Sequence, residues 1–379
     1  MRTTIAAVLL AAVATTLHAG SNQWTHISPE GRSIVYSFAL DPSAPDSLYV
    51  GMPQSLARSK DGGLSWTTLP LSAAMKDDSI FWRIRIDPQR SGHIMVLGWK
   101  GFYQSYDDGE TWSGGKFDQQ VGSFTLEFAT SRDTATIYVA LQQLCFGGCI
   151  GGGVIKSTNG GRTWTRTALK DDSVASLTVD PFNADVAFAF QATDNRTPAL
   201  LRTLDGGRTW TAISSPATSG KLAADPITPN KFYLATAAGL WITRDRGGSW
   251  ETVRESWPFQ YGLFAFDPID PSTMAVLTPP HVDVTPLPNP PQPPGAPPLP
   301  PQPPTLPPVS TDRYGLMRSD DGGRTFGRVL PDTPPYPGTD FADSVSELFL
   351  DPRRTTFYVR TSNGIFGYTI FERRRSVRR

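Results

Sequence analysis

Carboxylates set near aromatic rings are the residues of this chain whose types and spacing could do chemistry. Two acidic tetrapeptides repeat, Lys76-Asp77-Asp78-Ser79 and Lys170-Asp171-Asp172-Ser173, and a third acidic stretch reads Asp340-Phe341-Ala342-Asp343-Ser344. Trp82, Trp99, Trp257 and Tyr261 fall in comparable stretches. A pair of carboxylates flanking a glycosidic bond can serve as acid and base. Aromatic faces pack against the apolar faces of sugars. Asp77, Asp171, Asp340, Trp82, Trp99, Trp257 and Tyr261 are therefore the candidate ligand-binding residues, for a glycan or an extracellular protein. A blander reading stands beside this one. The repeated Asp-Ser can simply shape the start of a strand, and the tryptophans can pack between structural units.

Other chemistries find no motif. The sequence has no P-loop, dinucleotide fingerprint, His-Glu-x-x-His or Gly-x-Ser-x-Gly. Four histidines and two cysteines give no metal-ligating cluster, so no metal and no cofactor are expected. Cys145 and Cys149 enclose three residues, which is not the spacing of thiol-exchange motifs. A local disulfide is expected if the protein is exported. Formal net charge is zero, so nothing general favours nucleic acid or an acidic membrane.

The elements that must position these residues are announced by a repeat. Ser59-Lys60-Asp61-Gly62-Gly63-Leu64-Ser65-Trp66 recurs at 105–112, 157–164, 203–210, 243–250 and 319–326. The shared pattern is Ser/Thr, any, Asp, any, Gly, any, Ser/Thr, Trp/Phe. Asp61, Asp107, Asp205, Asp245 and Asp321, with Asn159 in the third copy, can accept hydrogen bonds from backbone N–H groups just ahead and stabilise a tight turn. The glycine supplies a positive φ. These six residues are read as structural.

A second motif alternates with the box. An apolar run ends in Asp-Pro at Asp41, Asp87, Asp180, Asp225, Asp267 and Asp351, and a seventh run around Phe128 lacks the Asp-Pro. Proline has no N–H for a ladder, so each Asp-Pro ends a strand and begins a turn. Between these landmarks lie further short apolar strands. Each unit then holds four strands in roughly 40 to 50 residues, the period of a β-propeller blade. Asn22-Gln23-Trp24-Thr25-His26-Ile27 resembles the strand that follows a box, and Gly364 to Tyr368 resembles the strand that precedes one. Joined, they complete a blade. The expectation is all-β: a seven-bladed propeller with four-stranded blades, closed by the N-terminal strand joining the C-terminal blade.

The box resembles the Asp box, or BNR repeat, of sialidases, sortilin-type receptors, family 74 xyloglucanases and photosystem II assembly factors of the Ycf48 type. The resemblance implies a propeller whose boxes are hairpin turns away from the active site. Sialidases add an Arg-Ile-Pro motif, an arginine triad and a Tyr/Glu couple. Here Arg-Ile-Pro is absent, and Arg83-Ile84-Arg85 lies within a strand. Family 74 enzymes divide their catalytic aspartates between two propellers. This chain has length for one, and Gly51-Met52-Pro53-Gln54-Ser55, where the first aspartate is expected, has no carboxylate. Ycf48-type proteins share seven blades and export.

The flanks complete the reading. Arg2 followed by the apolar run Ile5–Ala14 reads as a secretory signal over residues 1–19, too short to be a good transmembrane helix. The propeller is expected over residues 20–371. Residues 278–310 carry sixteen of the thirty-five prolines and read as a polyproline II loop inserted in blade six. Residues 372–379 form a basic tail. The expected protein is secreted or periplasmic and monomeric. Its first functional reading is a non-catalytic binding or scaffold module for a glycan or protein partner. The alternative is a glycoside hydrolase or lyase acting on extracellular polysaccharide, sialidase-like or xyloglucanase-like.

Overall fold

The computed structural model describes residues 25–29, 34–117, 125–145, 149–170, 173–192, 199–217, 220–236, 239–255, 263–267, 270, 272–278, 315–329, 347–351, 356–361 and 364–369. Within them, seven four-stranded antiparallel sheets form the seven blades of a propeller. The first strands of blades 1 to 7 are Ser37–Leu40, Phe81–Ile86, Thr125–Thr130, Ser173–Asp180, Lys221–Ala224, Leu263–Phe266 and Glu347–Leu350. The third strands are Ser55–Ser59, Gly101–Ser105, Cys149–Ser157, Ala199–Thr203, Gly239–Thr243, Gly315–Ser319 and Gly364–Thr369. Thr25–His26 pairs antiparallel with the third strand of blade 7, at the outer edge of that sheet.

Burial follows strand position. The second and third strands of blade 2, Ile94–Gly98 and Gly101–Ser105, are buried throughout, whereas fourth strands such as Thr67–Thr68 and Thr211–Ala212 are exposed. Strands covered on both faces read as continuous apolar runs rather than alternating ones, as in Ile94-Met95-Val96-Leu97. Core clusters form between neighbouring blades. Phe102 of blade 2 meets Phe128 and the box residue Trp164 of blade 3, with ring centroids 5.5 Å apart in both pairs. A further cluster joins Ile27, Tyr358 and Ile365 to Phe38, Leu48 and Val50 of blade 1.

The boxes are turns, and each closes on itself. In the first copy Ser65 N and Oγ donate to the Asp61 carboxylate at 2.9 and 2.5 Å, and Gly63 N donates to Ser59 Oγ at 2.8 Å. The fifth residue of every copy is glycine with φ between 77° and 92°, a region where a Cβ is strained. In the third copy Asn159 Oδ1 accepts from Thr163 N, while Asn159 Nδ2 donates to Thr163 Oγ1 at 2.8 Å. The amide thus reverses one bond and keeps the turn. The fourth residue donates its N–H to a carbonyl in the turn after the first strand, as in Gly62 N to Asp46 O and Asp108 N to Gly92 O. Boxes and Asp-Pro turns therefore share one end of the molecule, the bottom. Asp41, Asp180, Asp225, Asp267 and Asp351 are buried there, capping their turns as Asp41 does for Ser43 N at 2.8 Å.

Residues 1–19, the proline-rich stretch after Thr278 and the basic tail 372–379 lie outside the described residues. Thr278 and Gly315, which flank the proline-rich stretch, are cross-strand partners. Among the described residues no helix is long and apolar enough to cross a membrane.

Candidate functional site

The first strands of six blades surround a cavity of about 350 Å³ on the propeller axis. Alternation along a strand sends successive side chains to opposite faces, so a blade contributes only a few residues to the lining. Blade 2 contributes Arg83 and Arg85, blade 5 Lys221 and blade 7 Glu347. Ser37 and Thr178 add hydroxyls, and the remaining walls are mostly apolar. The described lining therefore holds three cations and one carboxylate.

Glu347 is not a spare charge. It opens the first strand of blade 7, and Arg360 Nε donates to its Oε2 at 2.8 Å. Arg83 Nη1 stands 3.9 Å from its Oε1, reaching from blade 2. Arg360 Nη1 also donates to Val35 O at 3.2 Å, and Arg83 Nη1 to Trp82 O at 2.8 Å. Arg85 donates to Phe128 O at 3.2 Å with its guanidinium over the Phe128 ring. The carboxylate orients two arginines, and among the described lining residues cations outnumber carboxylates. A unit charge pair at 4 Å is worth about 1 kcal/mol in bulk water but about 4 kcal/mol at the effective dielectric near a protein surface. Partial enclosure, more than the number of charges, is what would make this lining bind an anion.

An aromatic shelf adjoins Arg83. Trp82 and Trp99 stack with centroids 5.6 Å apart and an interplanar angle of 22°. Tyr36 meets Trp82 edge-on at 5.3 Å. All three are half-buried. Trp82 Nε1 is buried with no hydrogen-bond partner, an arrangement that costs free energy unless a ligand or water supplies an acceptor. Of the residues read from the sequence, Trp82 and Trp99 are thus brought together beside Arg83.

The adjacent aspartates part company. Ser72 caps the short helical turn Ala73–Lys76, and the chain leaves it with Asp77 outward and Asp78 inward. Asp77 pairs with Lys116 Nζ at 2.8 Å, and the Lys116 ammonium lowers its carboxyl below the ordinary range. Lys116 ends the fourth strand of blade 2, so Asp77 faces the outer rim rather than the axis. Asp78 is 1% exposed. Its Oδ2 accepts from Lys100 N at 3.1 Å and Tyr103 Oη at 3.2 Å, and its Oδ1 has no partner. Burial raises its carboxyl pKa, against the hydrogen bonds that oppose it. Asp78 ties the loop before blade 2 to the next hairpin.

Asp171, Asp340, Trp257 and Tyr261 lie outside the described residues. Cys145 and Cys149 are cross-strand backbone partners, and directly opposed residues have Cα atoms about 4.5–5.5 Å apart, within a disulfide's span. No group of three or more His, Cys, Asp or Glu suited to a metal ion occurs among the described residues. Sequence reasoning missed Arg83, Arg85, Lys221, Glu347 and Arg360. Their signal is weak, because each is an isolated charge in an apolar strand and their mutual approach depends on ring geometry.

Comparison with known proteins agrees with the fold. The family model for sortilin, neurotensin receptor 3, matches residues 152–274, from the third strand of blade 3 into blade 6. A xyloglucanase of Paenibacillus sp is 26% identical over 281 residues, which is 64% of this chain and 24% of that protein. The GH74 enzyme of Niastella koreensis superposes with a TM-score of 0.62 at 15% identity, covering 91% of this chain and 53% of that one. YCF48 bound to D1 peptide gives a TM-score of 0.57 at 12% identity, covering 93% of this chain and 96% of that one. The chain spans about a quarter of the xyloglucanase and about half of the GH74 enzyme. The likeness read from the repeated box, to sortilin-type, family 74 and Ycf48-type propellers, holds at the level of the propeller superfamily. Propellers host many functions, so the likeness alone assigns none.

Proposed function

We propose that this chain is an exported, non-catalytic binding module that takes an acidic glycan at the upper mouth of its axial cavity. The observation that carries the reading is the axial lining itself, in which Arg83, Arg85 and Lys221 outnumber Glu347. Arg83 and Arg85 would hold a carboxylate of the ligand, with Lys221 opposite. The Tyr36–Trp82–Trp99 shelf would pack against an adjacent sugar ring, with Trp82 Nε1 donating to a ring hydroxyl. The described carboxylates of the same end suit general acid–base work poorly. Asp77 is held by Lys116, Asp78 is buried within blade 2, and Glu347 is held by Arg360. Two opposed carboxyl groups roughly 5 to 10 Å apart across an open cleft would be needed for hydrolysis. Export is supported by the secretory pattern of residues 1–19, and by an extracellular domain from B. thetaiotaomicron that superposes at a TM-score of 0.55 and 12% identity.

The test is calorimetric titration with oligogalacturonate and with neutral xyloglucan oligosaccharides. The acidic ligand should bind, with affinity falling as salt rises, and Arg83→Ala should weaken it at least tenfold. Equal binding of both ligands, or indifference to Arg83→Ala, would count against the reading. A second reading has one observation in its favour. The 26% identity to a xyloglucanase supports a hydrolase of neutral glucan, with Asp171 and Asp340 as the carboxylates to replace.

A further inference from the structure

A side-chain bridge joins neighbouring blades at the bottom in the first four seams, and the fifth seam, which has the acceptor, lacks the donor. The residue just before the first Ser/Thr of each of the first five boxes is paired in register with an aromatic or apolar residue of the preceding strand: Tyr49 with Arg58, Met95 with Gln104, Tyr138 with Lys156, Phe188 with Arg202 and Tyr233 with Ile242. In the first four seams this residue crosses to the next blade and donates to the carbonyl of the fourth residue of that blade's box. Arg58 Nη1 reaches Asp108 O at 2.5 Å, and Gln104 Nε2 reaches Gly160 O. Lys156 Nζ reaches Gly206 O at 3.1 Å, and Arg202 Nη1 reaches Arg246 O at 2.8 Å. Arginine, glutamine and lysine share only a long stem and an N–H donor, so the acceptor is what the repeat preserves.

In the fifth seam the position is Ile242, which cannot donate. The corresponding acceptor is Gly322 O, in the box of blade 6. Here a groove of about 460 Å³ opens, lined among others by Tyr233, Ile242, Glu251, Asp321 and Gly322. A Cβ built on Gly322 would meet nothing within 4 Å. Three cations also line the groove, and two are committed. Lys231 Nζ binds the buried Asp225 carboxylate of its own blade at 2.8 Å, and Arg244 Nε stands 3.6 Å from Glu251. The third, Arg324, holds the box position that Arg208 holds in the third seam, where Lys156 still bridges to Gly206 O although Arg208 disfavours its charge. A neighbouring arginine therefore does not bar a cation from the slot.

We propose that the groove between blades 5 and 6 is a binding site for an arginine side chain of a protein partner, which takes the place that Arg58 and Arg202 fill in their own seams. The guanidinium would donate to Gly322 O with its stem along Ile242, as Arg58 and Arg202 donate to Asp108 O and Arg246 O. The site is on the face opposite the axial mouth and does not depend on the glycan reading.

The experiment uses the full chain and three capped tripeptides, Gly-Arg-Gly, Gly-Gln-Gly and Gly-Glu-Gly, followed by NMR shift titration. The arginine peptide should bind with a dissociation constant on the order of 1 mM, the scale of a single-contact ligand, and at least fivefold more tightly than the other two. Ile242→Arg fills the slot from within and should abolish binding, while Ile242→Ala leaves it open and should keep affinity within twofold. Preference for the glutamate peptide would overturn the proposal. So would no binding of the arginine peptide, or its undiminished binding to a folded Ile242→Arg variant.

Discussion

The boxes at the bottom of the propeller satisfy their aspartates the same way each time, whereas the top treats each carboxylate differently. Asp205, Asp245 and Asp321 each take hydrogen bonds from a Ser/Thr hydroxyl on one side and from the backbone N–H and hydroxyl of a second Ser/Thr on the other. At the top Asp77 meets a lysine at the rim, Asp78 is buried with one oxygen unpaired, and Glu347 is gripped by Arg360. Repetition marks what a blade needs in order to be a blade. Departure from repetition marks where a blade meets something else. Ile242 is the same lesson inside the bottom face, a missing donor where the four preceding seams each have one.

The comparison can be broken most forcefully at a box glycine. Gly207 has φ 85°, and a Cβ there would stand 2.7 Å from the Thr167 side chain. Gly207→Val should lower stability by about 2–4 kcal/mol through left-handed strain and overpacking together. Chemical denaturation would show it, with glycan affinity unchanged in the folded fraction. A loss below 0.5 kcal/mol, about the range of surface substitutions, would mean that the turn is not the structural unit argued here.

Arg83→Ala probes the other pole. A tenfold loss of acidic-glycan affinity corresponds to about 1.4 kcal/mol, and the melting temperature should hardly move. Glu347 keeps Arg360 as partner, so the variant leaves no orphaned charge. A large fall in melting temperature would make Arg83 a structural residue instead.

Asp78→Asn sharpens the contrast by pH. Because burial raises this carboxyl, its stability contribution is present at low pH and is lost as pH rises through its folded value. Removing the charge should raise the melting temperature at pH 8 and give no gain at pH 4. The opposite pattern would mean that the ionised form is the stabilised one.

The box aspartates predict the reverse sign and the smallest effect. Hydrogen bonds from Thr209, Ser249 and Thr325 hold Asp205, Asp245 and Asp321 down to about 2. Their contribution is complete above the ordinary value of 3.8 and is lost as pH falls through about 2. Asp245→Asn should therefore flatten acid unfolding below pH 4, followed by tryptophan fluorescence, and change little at pH 7.

What could be read from the sequence follows the range of the interactions. Each box closes within eight residues, so Ser59, Asp61, Gly63 and Ser65 declare their partners in sequence, and counting copies yields blades. Asn159 was legible for the same reason. The axial cluster was not, because Arg83, Glu347 and Arg360 approach one another only when the blades are arranged around an axis. Asp77 and Asp78 look alike in sequence, and only the helical turn at Ala73–Lys76 decides which is buried. The bridge from Arg58, Gln104, Lys156 and Arg202 left a trace, a long donor just before each of the first four boxes. Its chemical variety hides it until the shared acceptor is seen.

The most direct test of the central claim is product analysis. The folded protein, residues 20–379, is incubated with oligogalacturonate, alginate and xyloglucan, and the mixtures are read by mass spectrometry. The account predicts every glycan recovered uncut, with the acidic ones retained by the wild type and released by Arg83→Ala. Cleavage of any of them, abolished by Asp171→Asn or Asp340→Asn, would contradict it and make the protein a glycan-cleaving enzyme.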